Sequence, residues 1–529
     1  MKRYIKTIVP AAALLLTVGF TSCTGDLDVT PVDPNLNTQI SPDALFNKCY
    51  ANIGVAGNGG ANGDCDIDGI DGGTSGYVRQ IWNANELTTD EAICGWGDEG
   101  IGSFCYNSFD ASHPMLRGLY YRLYTGITFC NQYLGEFADK DETKAAEVRF
   151  IRALNYYYLM DGWGNVPFTT VISSSKPEQY TRQQVFDFVE SELLEIEPLL
   201  SAPKAKKSTD AGYGRVDRAA AWLLLARLYL NAEVYTGTAQ WAKAADYAKK
   251  VMESPYKLNT TSVGGWTAYQ MLFMGDNGET DAAYEAIFPV LQDGVRTTSW
   301  GTTLFLIAST HDGDMADCNG TTENWGGNRA RPQLVRLFFP NNDAPTAHPN
   351  DVAVAAGDDR AIFDTRGRQL DNTDVGTFSH GFAVAKFNNY TTNGAATHSA
   401  QFPDGDFFFM RAAEAYLTFA EATARQNGGT ATSDGIKAIN ALRARAHATE
   451  KGGYSINDIL DEWGREFYFE GRRRIDLVRF GKFGGSSDYV WQWKGGAYAG
   501  RNFEAFRNVF AIPTTDLTAN ENLKQNAGY

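Results

Sequence analysis

The chain has 529 residues, of which 43% are hydrophobic, and its formal net charge at pH 7 is −16. This length and composition allow a large buried core. The negative charge argues against nucleic acid as a partner, because a phosphate-binding surface needs clustered Lys and Arg. The one compact basic cluster, Arg472–Arg474, is too small to change that conclusion.

The N-terminus has the pattern of an export signal. Basic residues within the first six positions precede an apolar run at residues 8–20, and two small residues lead into Cys23. This order predicts a secretory signal peptide over residues 1–22, since the run is too short for a membrane span. The ending resembles a bacterial lipobox and makes Cys23 the expected lipidation site, with plain secretion as the alternative. Residues 23–36 are then a lipidated, proline-containing tether.

Residues 37–529 are predicted to form a single, mainly α domain of helical hairpins. Val216–Leu230 and Trp241–Met252 resemble a tetratricopeptide hairpin, in which small Ala residues let two helices approach closely. One such hairpin cannot bury its inner face, so further copies are expected at about residues 112–253 and 406–472. Helical spacing of apolar residues also marks Asp43–Ile53, Pro114–Glu136, Glu142–Asp161, Thr181–Leu200, Phe407–Arg425, Ser433–Ala446 and Ile456–Gly471.

Two stretches lack a sustained hydrophobic period, about residues 54–111 and 254–405. Gly and Asn recur in both, and Thr and Trp are frequent in the second. A loop region this long inside a folded protein is usually functional. We therefore expect these stretches to form a loop-rich ligand-binding part on the helical base.

Signals for catalysis are weak. GxSxG, HExxH and Walker sequences do not occur, and the six His are scattered. Adjacent carboxylates occur at Asp90-Glu91 and at Asp98-Glu99. A glycosidase needs two carboxyl groups placed across the scissile bond, a geometry that sequence neighbours rarely reach. No catalytic residue is predicted, and the alternative of a glycosidase rests on Asp98 and Glu99.

Three tryptophans stand outside every helical stripe. Trp96, Trp300 and Trp325 lie in the loop-rich stretches, and each is flanked by Gly. An exposed flat ring matches the apolar face of a sugar, and nearby Asp, Asn and Arg can bond the hydroxyl groups. The alternative is that each ring anchors its loop to the core. The pattern favours carbohydrate binding.

Two oxygen-rich segments are candidates for calcium. Asp276, Glu279 and Asp281 fall within six residues, and Asp404 and Asp406 flank a Gly. Carboxylate oxygens are the ligands that calcium prefers, so a structural calcium is expected. Solvated acidic turns are the alternative, and Asp404 or Asp406 could equally cap a helix beginning at Phe407.

Three motifs resemble the SusD family of outer-membrane, glycan-binding lipoproteins. They are Ala146–Tyr158 with the following Gly164–Pro167, the charged run Asp461–Arg474, and the ending Gln525–Tyr529. The resemblance covers essentially the whole chain. It implies a tetratricopeptide-like scaffold, a loop-rich glycan-binding face, and a lipid-anchored position on the outside of the outer membrane. It also implies a partner, a SusC-like TonB-dependent transporter over which the lipoprotein sits.

The resemblance further implies the ligand and the residues that hold it. In starch-binding members an aromatic arc holds a curved α-glucan, such as starch or maltooligosaccharides, without hydrolysing it. The rings of that arc match Trp96, Trp300 and Trp325, and its polar contacts match Asp71, Arg79 and a position near Glu99. The calcium positions match Asp404 and Asp406, and less closely the Asp276–Asp281 segment. The alternatives are another glycan or a peptide on the same scaffold.

Overall fold

The structure, a computed structural model, describes residues 40–529. The predicted signal peptide (residues 1–22) and tether (residues 23–36), with lipidation site Cys23, lie outside the described residues. Contacts group Leu45–Tyr529 into one compact unit. Within residues 40–529, no helix is both long enough and apolar enough to cross a membrane.

Helices dominate the chain, and the strands are short and paired two by two. The first half contains α1 (Pro42–Gly54), α2 (Gly72–Ser75), α3 (Tyr77–Trp82), β1 (Ala92–Cys94), α4 (Ile101–Cys105), α5 (Pro114–Phe137), α6 (Glu142–Trp163), β2 (Val166–Phe168), β3 (Glu178–Tyr180), α7 (Arg182–Ile196), α8 (Arg218–Leu230), α9 (Ala232–Thr236) and α10 (Trp241–Met252). The second half contains β4 (Ala286–Val290), α11 (Thr303–Ala308), α12 (Ala316–Asn319), β5 (Asn328–Ala330), α13 (Pro332–Arg336), α14 (Pro349–Ala356), β6 (Phe363–Asp364), β7 (Ala383–Val384), β8 (Phe407–Arg411), α15 (Ala413–Gln426), α16 (Ser433–Arg445), α17 (Ile456–Phe467), α18 (Arg473–Arg479) and α19 (Thr514–Ala519).

The long helices pack as successive hairpins. α5 packs on α6, α6 on α7, α8 on α10, and α15 on α16 and α17. α8 is buried except for Arg218 and Trp222, because it is apolar on nearly every side. α10 also packs against α15, so the hairpins before and after the loop-rich insertion form one continuous array. The predicted mainly α, tetratricopeptide-like fold is confirmed.

The structure corrects the predicted helix over Phe407–Arg425. Residues Phe407–Arg411 form strand β8, antiparallel to β4, and the helix begins only at Ala413. Bulky aromatic residues fit a pleated surface, and the partner strand lies far away in the sequence. Asp404 and Asp406 therefore cap no helix. The predicted helix over Ile456–Gly471 ends at Phe467, because Phe469 and Gly471 adopt positive φ.

Buried ion pairs join the hairpins to the insertion. Arg411 of β8 and Arg445 of α16 both reach Glu466 of α17 and also Glu285, which immediately precedes β4. Arg360 of the insertion bonds the other oxygen of Glu466 at 3.2 Å. All five side chains are fully buried. Burial alone would raise the pKa of Glu466, but the guanidinium groups lower it well below its usual range.

Candidate functional site

The strand pair β1–β5 brings two of the predicted tryptophans together. β1 runs antiparallel to β5, with Cys94 opposite Asn328, and Gly95 N–H continues the ladder by donating to Gly327 O at 3.2 Å. Trp96 follows β1 and Trp325 precedes β5, so their ring centroids lie 6.3 Å apart at 57°. A Cβ at Gly327 would lie 2.2 Å from the Trp96 ring, so a side chain at 327 is excluded.

Trp325 is the central ring of an arc that Trp300 completes. The Trp325 backbone N–H donates to Ala308 O of α11 at 2.8 Å, and its indole N–H donates to Glu323 Oε2 at 2.8 Å. Trp300 lies just before α11, with its centroid 6.1 Å from that of Trp325 at 41°. It packs edge-on against Phe402 at 5.1 Å. All three indoles are half-buried, so each ring is supported from behind and still reaches the surface.

The arc borders a depression of ≈ 420 Å³, called the aromatic cleft below. Its lining consists of Asp71, Gly73, Arg79, Trp96, Asp98, Trp300 and Trp325. The structure thus brings together all three predicted rings with two of the three predicted polar residues, which come from loops far apart in the sequence.

Arg79 lies behind the rings in a position set by α3. Its backbone N–H donates to Gly301 O at 2.9 Å, which ties α3 to the Trp300 loop. Its guanidinium lies 5.7 Å from the Trp96 ring centroid and 5.0 Å from that of Phe305. Burial lowers the pKa of Arg79, against the raising effect of the Asp98 and Asp71 charges. Its Nε is buried and has no hydrogen-bond partner among residues 40–529, so contact with a ligand falls to the terminal nitrogens of the guanidinium.

Asp71 is exposed and held in place by local bonds. It caps α2, accepting from Thr74 N–H at 2.9 Å and from the Thr74 hydroxyl at 2.7 Å. Partial burial would raise the pKa of Asp71, but the Thr74 bonds and the Arg79 charge lower it below its ordinary value. The carboxylate is therefore a fixed, ionised acceptor at the edge of the aromatic cleft.

The third predicted polar residue, Glu99, is not part of the lining. Asp98 borders the cleft instead, and both side chains are exposed. Gly100 adopts φ +100° and turns the chain into α4 directly after Glu99. This turn places only the first of the two adjacent carboxylates on the cleft side. The adjacency itself was the only sequence signal for Asp98.

The other pair of adjacent carboxylates, Asp90 and Glu91, lies in the core of the protein. Asp90 and Glu91 are buried, and Asp90 accepts two bonds of 2.8 Å from Arg473. Burial would raise the pKa of Asp90, but Arg473 lowers it below its ordinary value. A carboxylate that is enclosed and paired in this way cannot reach a glycosidic bond.

The predicted calcium residues do not gather into one cluster. Within residues 40–529, no three of Asp276, Glu279, Asp281, Asp404 and Asp406 bring ligand atoms within 4.8 Å of one another. Glu279 is exposed, and Asp281 is drawn to Lys207 at 2.8 Å. Glu279 and Asp281 therefore face solvent, and their role as calcium ligands stays a prediction.

Asp404 and Asp406 keep features of a cation site. Asp406 is buried, and its pKa rises from 3.8 to about 7, first through burial and further through the charges of Asp293 and Asp404. Asp404 Oδ1 is buried without a hydrogen-bond partner among the described residues, as is Oδ1 of Asp276. The two segments adjoin, since Asn277 exchanges bonds of 2.8 and 2.9 Å with the Asp406 backbone. Unpartnered carboxylate oxygens of this kind suit a hard cation.

Comparison with known proteins shows the family. The chain is 39% identical over 566 aligned positions to the starch-binding protein SusD of Bacteroides thetaiotaomicron, covering 100% of this chain and 99% of that relative. The chain belongs to the SusD family. A SusD-like protein of Bacteroides ovatus is 23% identical over 70% of this chain and 66% of its own length. The family model described as SusD family matches residues 365–529, and the model described as starch-binding associating with outer membrane matches residues 27–230.

Solved structures show the SusD fold across the chain. Surface glycan-binding protein A of Bacteroides uniformis covers 92% of this chain and 99% of its own at 21% identity, with a TM-score of 0.68. The homologous protein of Bacteroides thetaiotaomicron, solved in complex with laminarihexaose, covers 92% and 98% at 20% identity, with a TM-score of 0.65. These relatives are named as binding proteins and not as enzymes.

Proposed function

We propose that this chain is a cell-surface protein that binds α-glucan, in the form of starch or maltooligosaccharides. The observation that carries the proposal is the arc of Trp96, Trp325 and Trp300, three neighbouring half-exposed rings in one cleft. Supporting it, the relative that is 39% identical along the whole chain is named a starch-binding protein.

The geometry of the rings favours a curved ligand. Neighbouring ring planes are inclined by 57° and 41°, so a straight rod cannot lie flat on all three. A helically curved glucan presents successive sugar faces at an angle and fits such an arc. Asp71 and Asp98 at the rim, together with the guanidinium of Arg79 behind the rings, then bond hydroxyl groups and fix the orientation of the glucan. Binding at one site is expected to be weak and to gain from repeated sites on a polymer.

Affinity electrophoresis tests the ligand. Amylopectin in the gel should retard the protein, and replacement of Trp96, Trp300 and Trp325 together by Ala should remove that retardation. The control is Trp222→Ala, which removes a half-buried indole from α8, away from the cleft. Retardation by xylan, pectin or laminarin alone would replace α-glucan by another glycan. New reducing ends from maltoheptaose, lost on Asp98→Asn, would favour a glycosidase instead.

The anchor, the orientation and the partner belong to the same proposal. A lipid on Cys23 would hold the protein on the outer face of the outer membrane, where a SusC-like TonB-dependent transporter receives the glycan. Cys23→Ala should abolish acylation by labelled palmitate and release the protein. The transporter should copurify with the wild-type protein in mild detergent.

We also propose a structural calcium at Asp404 and Asp406. The unpartnered oxygens of Asp404 and Asp276 support it, as do the charges of Asp293 and Asp404, which act on the buried carboxylate of Asp406. Calcium should raise the unfolding temperature of the wild-type protein over that in chelator, and an Asp404→Asn, Asp406→Asn double variant should lose this gain. Asp281→Asn, at an exposed pair with Lys207, is the control that should keep it.

A further inference from the structure

A second group of metal-ligating side chains lies outside the aromatic cleft. Among residues 40–529, Asp317, Cys318 and His348 are the one set of at least three His, Cys, Asp or Glu side chains whose ligand atoms all lie within 4.8 Å of one another. Cys318 is buried, whereas the imidazole of His348 is 33% exposed and the carboxylate of Asp317 51% exposed. The group is therefore closed by the protein at Cys318 and open to solvent at Asp317 and His348.

The distances match those between ligands of one ion. Cys318 Sγ lies 3.4 Å from His348 Nε2 and 3.4 Å from Asp317 Oδ1. A tetrahedral zinc with bonds of about 2.3 Å to sulfur and about 2.0 Å to nitrogen or oxygen separates its ligand atoms by about 3.5 Å. The remaining pair, His348 Nε2 and Asp317 Oδ2, is 3.9 Å apart. To close this gap, Asp317 has to turn away from Arg366, which donates to its two oxygens at 2.7 and 2.8 Å.

The fold also sets the orientation of the imidazole. His348 is the N-cap of α14, and its Nδ1 accepts from Asn350 N–H at 3.3 Å. Because Nδ1 accepts, the proton of the neutral imidazole is on Nε2, the nitrogen that faces Cys318 Sγ. For Nε2 to bind an ion, this proton has to move to Nδ1, as in metal-binding histidines, which donate from the other nitrogen. Nδ1 then gives up the Asn350 bond and donates to solvent, so ion binding removes one N-cap bond from α14.

The surrounding charges are compatible with a divalent cation. Asp364 Oδ2 lies 3.8 Å from Cys318 Sγ, and Arg366 bonds both Asp364 and Asp317. With the thiol protonated, these residues carry one net negative charge. Exchange of the thiol proton for a divalent cation, with the proton released to solvent, makes the cluster neutral. Arg366 is 37% exposed and keeps its bonds to Asp364 when Asp317 turns to the ion.

We propose that Asp317, Cys318 and His348 form a zinc-binding site with a fourth position open to water. Thiolate and imidazole together select zinc over calcium or magnesium. The ion joins α12 to the start of α14, two elements that are separated in the sequence. α12 ends at Asn319, whose side-chain amide donates to Glu323 O at 2.7 Å, and Glu323 holds the Trp325 indole. The site thus braces the loop that carries Trp325, although zinc binding itself does not depend on the glycan proposal.

Titration of the tag-free, chelator-treated protein with Co²⁺, a spectroscopic substitute for Zn²⁺, tests the site. We expect one Co²⁺ per chain, a near-ultraviolet thiolate-to-cobalt absorption, and its displacement by Zn²⁺. Cys318→Ser should abolish that absorption. His348→Asn keeps an N-cap acceptor for α14 but removes the imidazole, and should lower Co²⁺ affinity at least about tenfold.

The control is Cys65→Ser, which removes a more exposed thiol outside the cluster and should leave the Co²⁺ spectrum unchanged. Absence of the thiolate absorption in the wild-type protein, or its persistence in Cys318→Ser, would overturn the proposal. Unchanged Co²⁺ affinity in His348→Asn, in protein with wild-type circular dichroism, would also overturn it. Failure of glycan binding has no bearing on these readouts, so the two proposals fail separately.

Discussion

The helical hairpins and the aromatic cleft differ in whether their charged side chains are paired within the protein. In the hairpins, Glu466 is fully buried and bonded by Arg411, Arg445 and Arg360, so its charge is used inside the protein. In the cleft, Arg79 keeps an unpartnered Nε, and Asp98 is exposed. The comparison teaches that the charged side chains of the scaffold pair with one another and stabilise the fold. Charged side chains of the loops around the cleft therefore remain available to a ligand.

The largest effect should come from breaking the buried network. Glu466→Ala removes the carboxylate that three buried arginines share and leaves the network with one uncompensated positive charge. It is expected to lower the free energy of unfolding by about 3–5 kcal/mol, measured by urea denaturation. The control is Glu195→Ala, which removes a 65% exposed partner of Arg149 and should cost about 0.5 kcal/mol. Equal losses in the two variants would show that the network does not brace the fold.

Lys386 is a buried charged group whose contribution to stability should depend on pH. Burial lowers its pKa to about 8, although the Glu470 charge opposes the shift. Because the unfolded chain binds this proton up to about pH 10.5, it binds more protons than the folded chain between pH 8 and 10. Stability should therefore rise across that window, by on the order of 2 kcal/mol. Thermal unfolding at several pH values measures the rise, and a Lys386→Met variant that kept the same slope would contradict the assignment.

Trp325→Ala tests the cleft without touching the network. Loss of about 60 Å² of ring face covered by sugar is worth about 1.5 kcal/mol, or roughly a tenfold loss of affinity for maltoheptaose by calorimetry. Trp222→Ala should leave that affinity unchanged. If both variants bound maltoheptaose like the wild type, the arc would not be the binding surface.

The smallest effect separates two neighbouring carboxylates. Asp98→Ala should weaken maltoheptaose binding by about 1 kcal/mol, roughly fivefold, through loss of one charge-assisted hydrogen bond. Glu99→Ala should change it less than about twofold, since Glu99 does not line the cleft. A larger loss of affinity in Glu99→Ala than in Asp98→Ala would instead support Glu99 as the glycan contact that the family resemblance implied.

Much of the scaffold could be predicted from the sequence because its signal is local. Trp241–Met252 has the predicted bounds, since one helix carries its whole apolar stripe within a single segment. The predicted helix over Phe407–Arg411 was wrong, because this segment pairs with Ala286–Val290, which lies far away in the chain. A short apolar run does not reveal whether it forms a helix or a strand.

The candidate site was also predictable only where its signal was local in the sequence. Gly beside Trp96, Trp300 and Trp325 marked three bare rings, and the structure brings them together. The choice between Asp98 and Glu99 depended on a turn at Gly100, which a pair of adjacent acids does not encode. Cys318 and His348 carried no recognisable spacing, so their proximity became visible only in three dimensions.

The short β1–β5 ladder has a consequence for how the protein matures. Trp96 and Trp325 are 229 positions apart and meet only when these strands join. Closing so long a loop is entropically costly and places this contact late in folding. A newly made chain would thus have no affinity for sugar until its tertiary structure was complete, and indole fluorescence would report that moment.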